Sequence, residues 1–376
     1  MIPPAARLSE VTISLIREIQ GLATPLCINL GLGEPNLEPD EWLRDLAATV
    51  ARDNSWHYST NAGSFELRRT IADQEAPLYD PLKEICITAG TEEALYAIFQ
   101  AYIGPGDDVL VPDPGFLSYP ALTRLAGATP VPYALDPEGW DVDLAALEAS
   151  WTPNTRAIVV NSPSNPTGGV LSEESVRRIT AIAEERKALV ISDEVYREIH
   201  YGHSPASFMG RGRNVVVVSG LSKSHGMTGL RIGWALAPEA LMKPIVTAHQ
   251  YIATCASVFS QDLANLVLAD GKANQAWLDG VRVKFAEQRV VAMRTAQQAL
   301  GVEVAEPKGG FYLFVPVPAC NSIELAKALV LDAAVLTIPG AAFGTKGEGF
   351  LRVSYAAEPD LIRRGIERIG EHLGRV

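Results

Sequence analysis

Between about residues 84 and 237 the chain alternates short apolar runs with stretches of helical periodicity. The runs are 85–88, 108–111, 157–160, 188–192 and 215–218, and they are close to continuously apolar rather than alternating. Strands covered on both faces read that way, and their alternation with helices predicts an α/β fold with a mostly parallel sheet. One connecting helix is legible in detail. Ser172 is placed to cap it, Glu173 and Glu174 suit the positive end of its dipole, and Val176, Ile179, Ile182 and Ala183 form one apolar face, with Arg186 and Lys187 at the far end. Beyond about residue 238 the texture changes. A long helical stretch (261–300) leads into strand-like pieces at 310–315 and 350–355, and an amphipathic helix at roughly 360–373 follows.

Length and composition sharpen this picture. A chain of 376 residues fits one large domain plus a smaller one. The expected division is an N-terminal arm over 1–45 that joins the small domain, a large domain over 46–275, and a small C-terminal domain over 276–376. A formal charge of −12 argues against nucleic acid or an anionic membrane surface as partner. Anionic substrates would then have to be captured by local arginines. Cys27, Cys86, Cys255 and Cys320 are far apart and read as small buried hydrophobes in a reducing compartment. The histidines show no metal-ligand spacing. No secretory signal is visible, and no apolar run approaches the ~18 residues of a membrane span, so a cytoplasmic protein is expected.

Candidate chemistry collects where the apolar runs end. After 157–160 comes Asn161-Ser-Pro-Ser-Asn165-Pro-Thr-Gly168; after 188–192 comes Asp193-Glu-Val-Tyr196; after 215–218 comes a small-residue loop with Ser222 and Lys223. In open α/β sheets ligands bind beyond the carboxyl ends of the strands, so an amide, a carboxylate with a phenol, and an amine converge on one edge. A lysine desolvated near other cations loses its proton near neutral pH and can attack an aldehyde. The plain alternative is an ordinary loop lysine. A fourth run, 85–88, leads through Ala89-Gly90-Thr91 into a helix. Free N–H groups at a helix start bind phosphate, and Gly90 lets an anion approach the backbone. Glu92 and Glu93 could equally serve the helix dipole alone. Arg231 offers a phosphate its guanidinium, unless it forms a structural salt bridge.

These motifs resemble the pyridoxal-phosphate-dependent aminotransferases of fold type I, class I/II. The resemblance runs from Gly31-Leu-Gly-Glu-Pro35 to Arg352-Val-Ser354 and rests most on Ser-Pro-Ser-Asn165-Pro-Thr-Gly, Ser192-Asp-Glu-Val-Tyr196, and Ser222-Lys223 with Arg231 eight residues on. It implies a large domain with a mostly parallel seven-stranded sheet and a smaller α+β domain from both chain ends. It also implies pyridoxal 5′-phosphate as cofactor and ping-pong transfer of an amino group between an L-amino acid and a 2-oxo acid. Lys223 resembles the lysine that forms the cofactor aldimine and shuttles the substrate proton. Asp193 resembles the carboxylate that keeps the pyridine nitrogen protonated. Asn165 and Tyr196 resemble the pair that bonds the ring's 3′-oxygen, and Phe116 the aromatic stacked on the ring. Ala89, Gly90, Thr91, Ser222 and Arg231 resemble the phosphate cup. Arg352 resembles the clamp of the substrate α-carboxylate, helped by Asn165 and the backbone at Gly33. Tyr58, in His57-Tyr-Ser-Thr-Asn-Ala-Gly63, resembles the tyrosine that reaches the phosphate of the neighbouring subunit, which implies a homodimer with shared active sites. The alternative for Tyr58 is packing within its own subunit.

The departures from the pattern also carry information. Gly220 stands where many relatives have serine. Thr91 replaces the lysine that holds a second carboxylate in bacterial aspartate-type enzymes, and Phe116 stands where those enzymes usually carry tryptophan. With no second cation in the matched motifs, aspartate is not expected to be clearly the best donor. Two other functions compete. A lyase eliminating a β-substituent would use Lys223, Asp193 and Arg352 equally, and would release 2-oxo acid without an acceptor. A non-catalytic pyridoxal-phosphate sensor would need a basic helix-turn-helix ahead of the large domain, where instead the 31–35 loop already lies.

Overall fold

The computed structural model describes residues 2, 5–8, 11–53, 56–318 and 321–374. Its strands, in chain order, are β1 (Ile28–Asn29), β2 (Ile85–Thr88), β3 (Asp108–Asp113), β4 (Thr129–Ala134), β5 (Thr155–Asn161), β6 (Leu189–Asp193), β7 (Val215–Ser219), β8 (Gly233–Leu236), β9 (Tyr312–Pro316), β10 (Val335–Leu336), β11 (Ile338–Pro339) and β12 (Phe350–Ser354). Seven of them form one sheet in the order β2-β8-β7-β6-β5-β3-β4, in which only β8 runs against the rest. All five apolar runs became strands of this sheet.

Their continuous apolarity has a direct cause. Val109, Val159, Ile191 and Val216 face one buried cluster, whereas Leu110, Ile158, Val190 and Val217 face another on the opposite side. Each such side chain contributes about 1.5–3 kcal/mol by leaving water, so neither face tolerates polar positions. The pattern missed β4 and β8. In β4, Pro130 and Pro132 interrupt the run, and proline survives there because β4 is an edge strand that can forgo a ladder donor. β8 follows the Lys223 loop and slots antiparallel between β2 and β7.

The expected helix spans Glu173–Glu185, and the Ser172 side chain accepts a hydrogen bond from the Ser175 N–H. The long stretch after residue 260 is in fact two helices, Val258–Ala269 and Gly271–Leu300. They break at Asp270, whose carboxylate caps the second by accepting from Ala273 N–H. A second core gathers Phe285, Leu313, Leu329, Val353 and Ile362 around the antiparallel sheet β11-β12-β9. β1 pairs in parallel with β10, so residues 28–29 pack with the C-terminal part of the chain.

The cysteine expectation needs correction. Cys86 is buried, but Cys27 and Cys255 are partly exposed, because each sits in a loop or turn rather than a strand; Cys320 lies outside the described residues. Among the described residues no helix is long and apolar enough to cross a membrane.

Candidate active site

A cavity of about 700 Å³ opens at the carboxyl ends of β5, β6 and β7. Sheet register explains the convergence: Asn161 pairs with Asp193, and Asp193 with Val218. Lys223, Asp193, Tyr196, Asn165, Phe116 and Arg352 all line it, as do Gly33, Thr91, Ser222 and Arg231.

Lys223 Nζ donates to the Gly33 carbonyl at 2.8 Å. Burial, and then the positive charge of Arg352, push its amine down to about 8, while Glu34 and Asp193 oppose the shift. A tenth or so of such amines is free base at neutral pH, enough to make a nucleophile.

Asp193 is buried at the end of β6. Oδ2 accepts from the Tyr119 phenol at 2.9 Å, and Oδ1 from the Val195 N–H at 3.2 Å. Burial lifts the carboxyl to about 6 against these two bonds. A cation brought beside Asp193 would relieve that cost. Tyr119 lies three residues after Phe116, yet its role depends on a contact 74 residues away and had no sequence signal.

Tyr196 and Tyr312 share a hydrogen bond of 2.8 Å between their hydroxyls, and burial pushes both phenols up. Tyr312 was not among the sequence candidates. Its ring also faces the Arg352 guanidinium at 4.5 Å, with Phe343 at 4.9 Å.

Arg352 lies in the central strand of the three-stranded sheet and is only 1% exposed. Nη1 donates to Asn165 Oδ1 at 2.9 Å and Nη2 to the Gly31 carbonyl at 2.6 Å, while Nε is buried with no partner. Among the described residues no carboxylate pairs with it. A buried, uncompensated guanidinium is costly, and an anion entering the cavity would supply what the fold omits.

The anion corner is built around Gly90, whose φ of 85 leads into the helix Thr91–Tyr102. A Cβ at Gly90 would stand 2.6 Å from the Arg231 guanidinium. Two of the expected phosphate donors are already engaged: the Ala89 N–H donates to Glu93 Oε2 at 3.1 Å, and the Gly90 N–H to the Thr88 carbonyl at 2.8 Å. Thr91, Ser222 and Arg231 are the groups at this corner that line the cavity. Arg231 makes no ion pair among the described residues; its Nη1 donates to the Thr228 carbonyl at 2.9 Å. Glu93 also receives the buried His249 Nδ1 at 2.9 Å, so its role is to brace the turn.

The Lys223 loop is held from behind. His225 lies between Ser224 Oγ at 2.9 Å and Asn274 Oδ1 at 2.7 Å, stacked on Trp277, whose indole N–H donates to the Ser224 carbonyl. Asn274 Oδ1 can only accept, so Nε2 carries the proton and Ser224 donates to Nδ1. Burial pushes this imidazole from 6.5 down to about 4. Between those values the unfolded chain binds the extra proton, so stability is full above 6.5 and is lost as pH falls toward 4. The expected loss over that window is roughly 2–4 kcal/mol. Urea unfolding at a series of pH values should show that slope in the native chain and a flatter one in His225→Asn; equal slopes would remove His225 as its source.

Tyr58 lies outside the cavity and is 85% exposed, which rules out packing within its own subunit; Tyr251 is 84% exposed. Asn61, three residues on, donates to the Thr254 carbonyl.

Residues 25–369 match the family model described as aminotransferase class I and II. The chain is 35% identical to a probable N-acetyl-LL-diaminopimelate aminotransferase of Bacillus subtilis, covering 98% of this chain and 95% of that protein. It is 32% identical to aromatic-amino-acid aminotransferase 2 of Thermococcus litoralis, covering 96% of each. Among solved structures, a single mutant of Thermus thermophilus aspartate aminotransferase superposes with a TM-score of 0.93 at 29% identity, over 99% of this chain and 100% of the other.

Proposed function

This chain belongs to the class I and II aminotransferases and transfers amino groups with pyridoxal phosphate as cofactor, and we propose that the residues around the cavity divide that work as follows. The observation that carries the assignment is one cavity shared by an amine brought down to about 8, Lys223, and a buried guanidinium without a carboxylate partner among the described residues, Arg352.

The residues present fit the cofactor. The Gly90 cradle, which a Cβ would fill against Arg231, would hold the phosphate together with Thr91 and Ser222. Ala89 shapes this turn, with its own N–H committed to Glu93. Asp193 would answer the ring nitrogen, Phe116 would cover a ring face, and Asn165 and Tyr196 would serve the 3′-oxygen. When bound, pyridoxal phosphate supplies an aldehyde that captures amines and a ring that accepts the electrons left at the substrate Cα.

The protein's own groups do the rest. Lys223 Nζ takes the proton from the substrate Cα. Arg352 binds the α-carboxylate, and Asn165 and the backbone at Gly33 hold it in the orientation that exposes that proton. Asp193 holds its proton partner in a buried setting where charge pairing is strong. The relatives named above are aminotransferases, which does not favour the elimination alternative.

A homodimer with shared sites belongs to the same proposal, in which Tyr58 reaches the phosphate of a second copy. Its exposure supports this, as does that of Tyr251. The division near residues 45 and 275 is also proposed. The β1–β10 pairing supports its N-terminal part, while residue 275 falls within the helix Gly271–Leu300. A cytoplasmic location is supported by the unpaired Cys27, Cys86 and Cys255.

Mixing tests the roles of Lys223 and Tyr58 together. Lys223→Ala and Tyr58→Ala are each expected to be impaired as homodimers. A hybrid gathers both lesions into one site and leaves the other intact, so co-refolding should restore roughly half of normal activity per hybrid, in the proximity logic of a shared site. Hybrids that form without restoring activity would remove Tyr58 from the neighbouring site.

A further inference from the structure

The loop 340–349 joins β11 to β12 and so leads to Arg352, which pairs with Ile338 in the register of those strands. One carboxylate fastens this loop to the seven-stranded sheet. Asp113, the last residue of β3, is 5% exposed. Its Oδ2 accepts from the Thr345 N–H at 3.1 Å and from the Thr345 hydroxyl at 2.7 Å, and its Oδ1 accepts from the Lys346 N–H at 2.9 Å. Two residues on, the Gly115 N–H donates to the Phe343 carbonyl at 2.7 Å. Gly344 lies between these contacts with a φ of 122, and a Cβ there would collide with the Asp113 carboxylate.

Each of the two fastened segments carries groups of the active site. Asp113 leads into Phe116 and Tyr119, which line the cavity, and Tyr119 donates to Asp193. On the other side, the Phe343 ring faces the Arg352 guanidinium at 4.9 Å. Among the described residues no cation pairs with Asp113, so its burial is supported by hydrogen bonds alone. Apolar packing at this place would avoid that desolvation but would let the segments slide. Three directional bonds admit one arrangement.

We propose that Asp113 is a positioning residue for amino transfer: it holds the clamp Arg352 in register with the wall formed by Phe116 and Tyr119, so that a substrate engaged by both presents its Cα–H to Lys223. The proposal rests on the readings of Arg352 as the α-carboxylate clamp and of Phe116 as the cover of the ring. Asp113 is not among the residues lining the cavity and acts through the loop it fastens.

Asp113→Asn tests this with little change of size. Three donors converge on the carboxylate, and in either orientation the amide NH₂ would face a backbone N–H. The holoenzyme is offered L-glutamate, L-aspartate and L-phenylalanine, with the half-reaction followed by cofactor absorbance and counted per cofactor-loaded site. For each donor the native enzyme uses, kcat/KM should fall about ten- to a hundredfold in Asp113→Asn, the loss expected of a small misplacement. Pyridoxal phosphate binding to the apoenzyme should stay within a few-fold of native, because these contacts do not reach the Gly90 corner. Thr345→Val, which removes only the hydroxyl bond, should lose less than Asp113→Asn but more than Thr345→Ser.

A role in folding alone would lower the urea midpoint and leave the rate per loaded site native, and that result overturns the proposal. Should Asp113→Asn fail to fold, a native rate in Thr345→Val overturns it instead. Combined with Arg352→Lys, Asp113→Asn should add little further loss, because the clamp it positions is already impaired. Full multiplication of the two losses overturns the proposal while leaving Arg352 in place as the clamp. A native rate in Arg352→Lys by itself overturns the reading of Arg352, and the proposal with it.

Discussion

Replacing Lys223 with alanine should leave a folded protein with no measurable amino transfer. Among the described residues lining the cavity, Lys223 carries the basic group brought nearest neutrality, to about 8, by burial and the Arg352 charge. Loss of positioned proton transfer alone costs about 10²–10⁴ in rate, and the capture of the cofactor aldehyde is lost as well. Lys223→Arg keeps the positive charge but cannot shed its proton, so it should be equally inactive. The location is checked by borohydride reduction of the native holoenzyme followed by peptide mapping. The pyridoxyl group should be found on Lys223, and label on any other lysine would sink the assignment.

Asp193→Ala is the second large effect. The carboxylate is held by Tyr119 and by the Val195 N–H, and burial raises it to about 6, so its charged form is held at a desolvation cost. A protonated ring nitrogen repays that cost when it arrives. Without the carboxylate, nothing in the cavity holds the proton there, and the electrons left at Cα have no acceptor. The expected loss is that of a preorganised electrostatic group, about 10²–10³ in kcat or roughly 2.7–4 kcal/mol. Folding should survive, because the change removes a desolvated charge from the core. Steady-state kinetics and urea unfolding separate the two; near-normal turnover would mean that Asp193 does not serve the ring.

The sheet was readable because both of its faces are covered. Once Val109 and Leu110 must each be buried on opposite sides, the strand has no polar positions left, and five such strands stand out in the chain. The edge strand β4 is subject to only part of that constraint, and its prolines hid it. The helix Glu173–Glu185 was legible to its cap for a different reason: capping and dipole preferences act within a few residues and need no tertiary partner. The break at Asp270 was missed because a single capping residue inside a long helical pattern looks like an ordinary polar position.

The sequence by itself determined the residues beyond the ends of β5, β6 and β7, because the ends of strands buried on both faces follow from local pattern. It therefore named Asn165, Asp193, Tyr196 and Lys223 before any distance was known. Only the tertiary structure decided how each is tuned. Tyr119 reaches Asp193 across 74 residues of chain, Tyr312 reaches Tyr196 across 116, and Lys223 meets Gly33 across 190. Arg17 comes to the same cavity on a short helix anchored by Ile19 in the other core. Hydrogen bonds and desolvation act over a few ångströms of space and leave no periodic trace along the chain, so these contacts exist only once the two cores have packed.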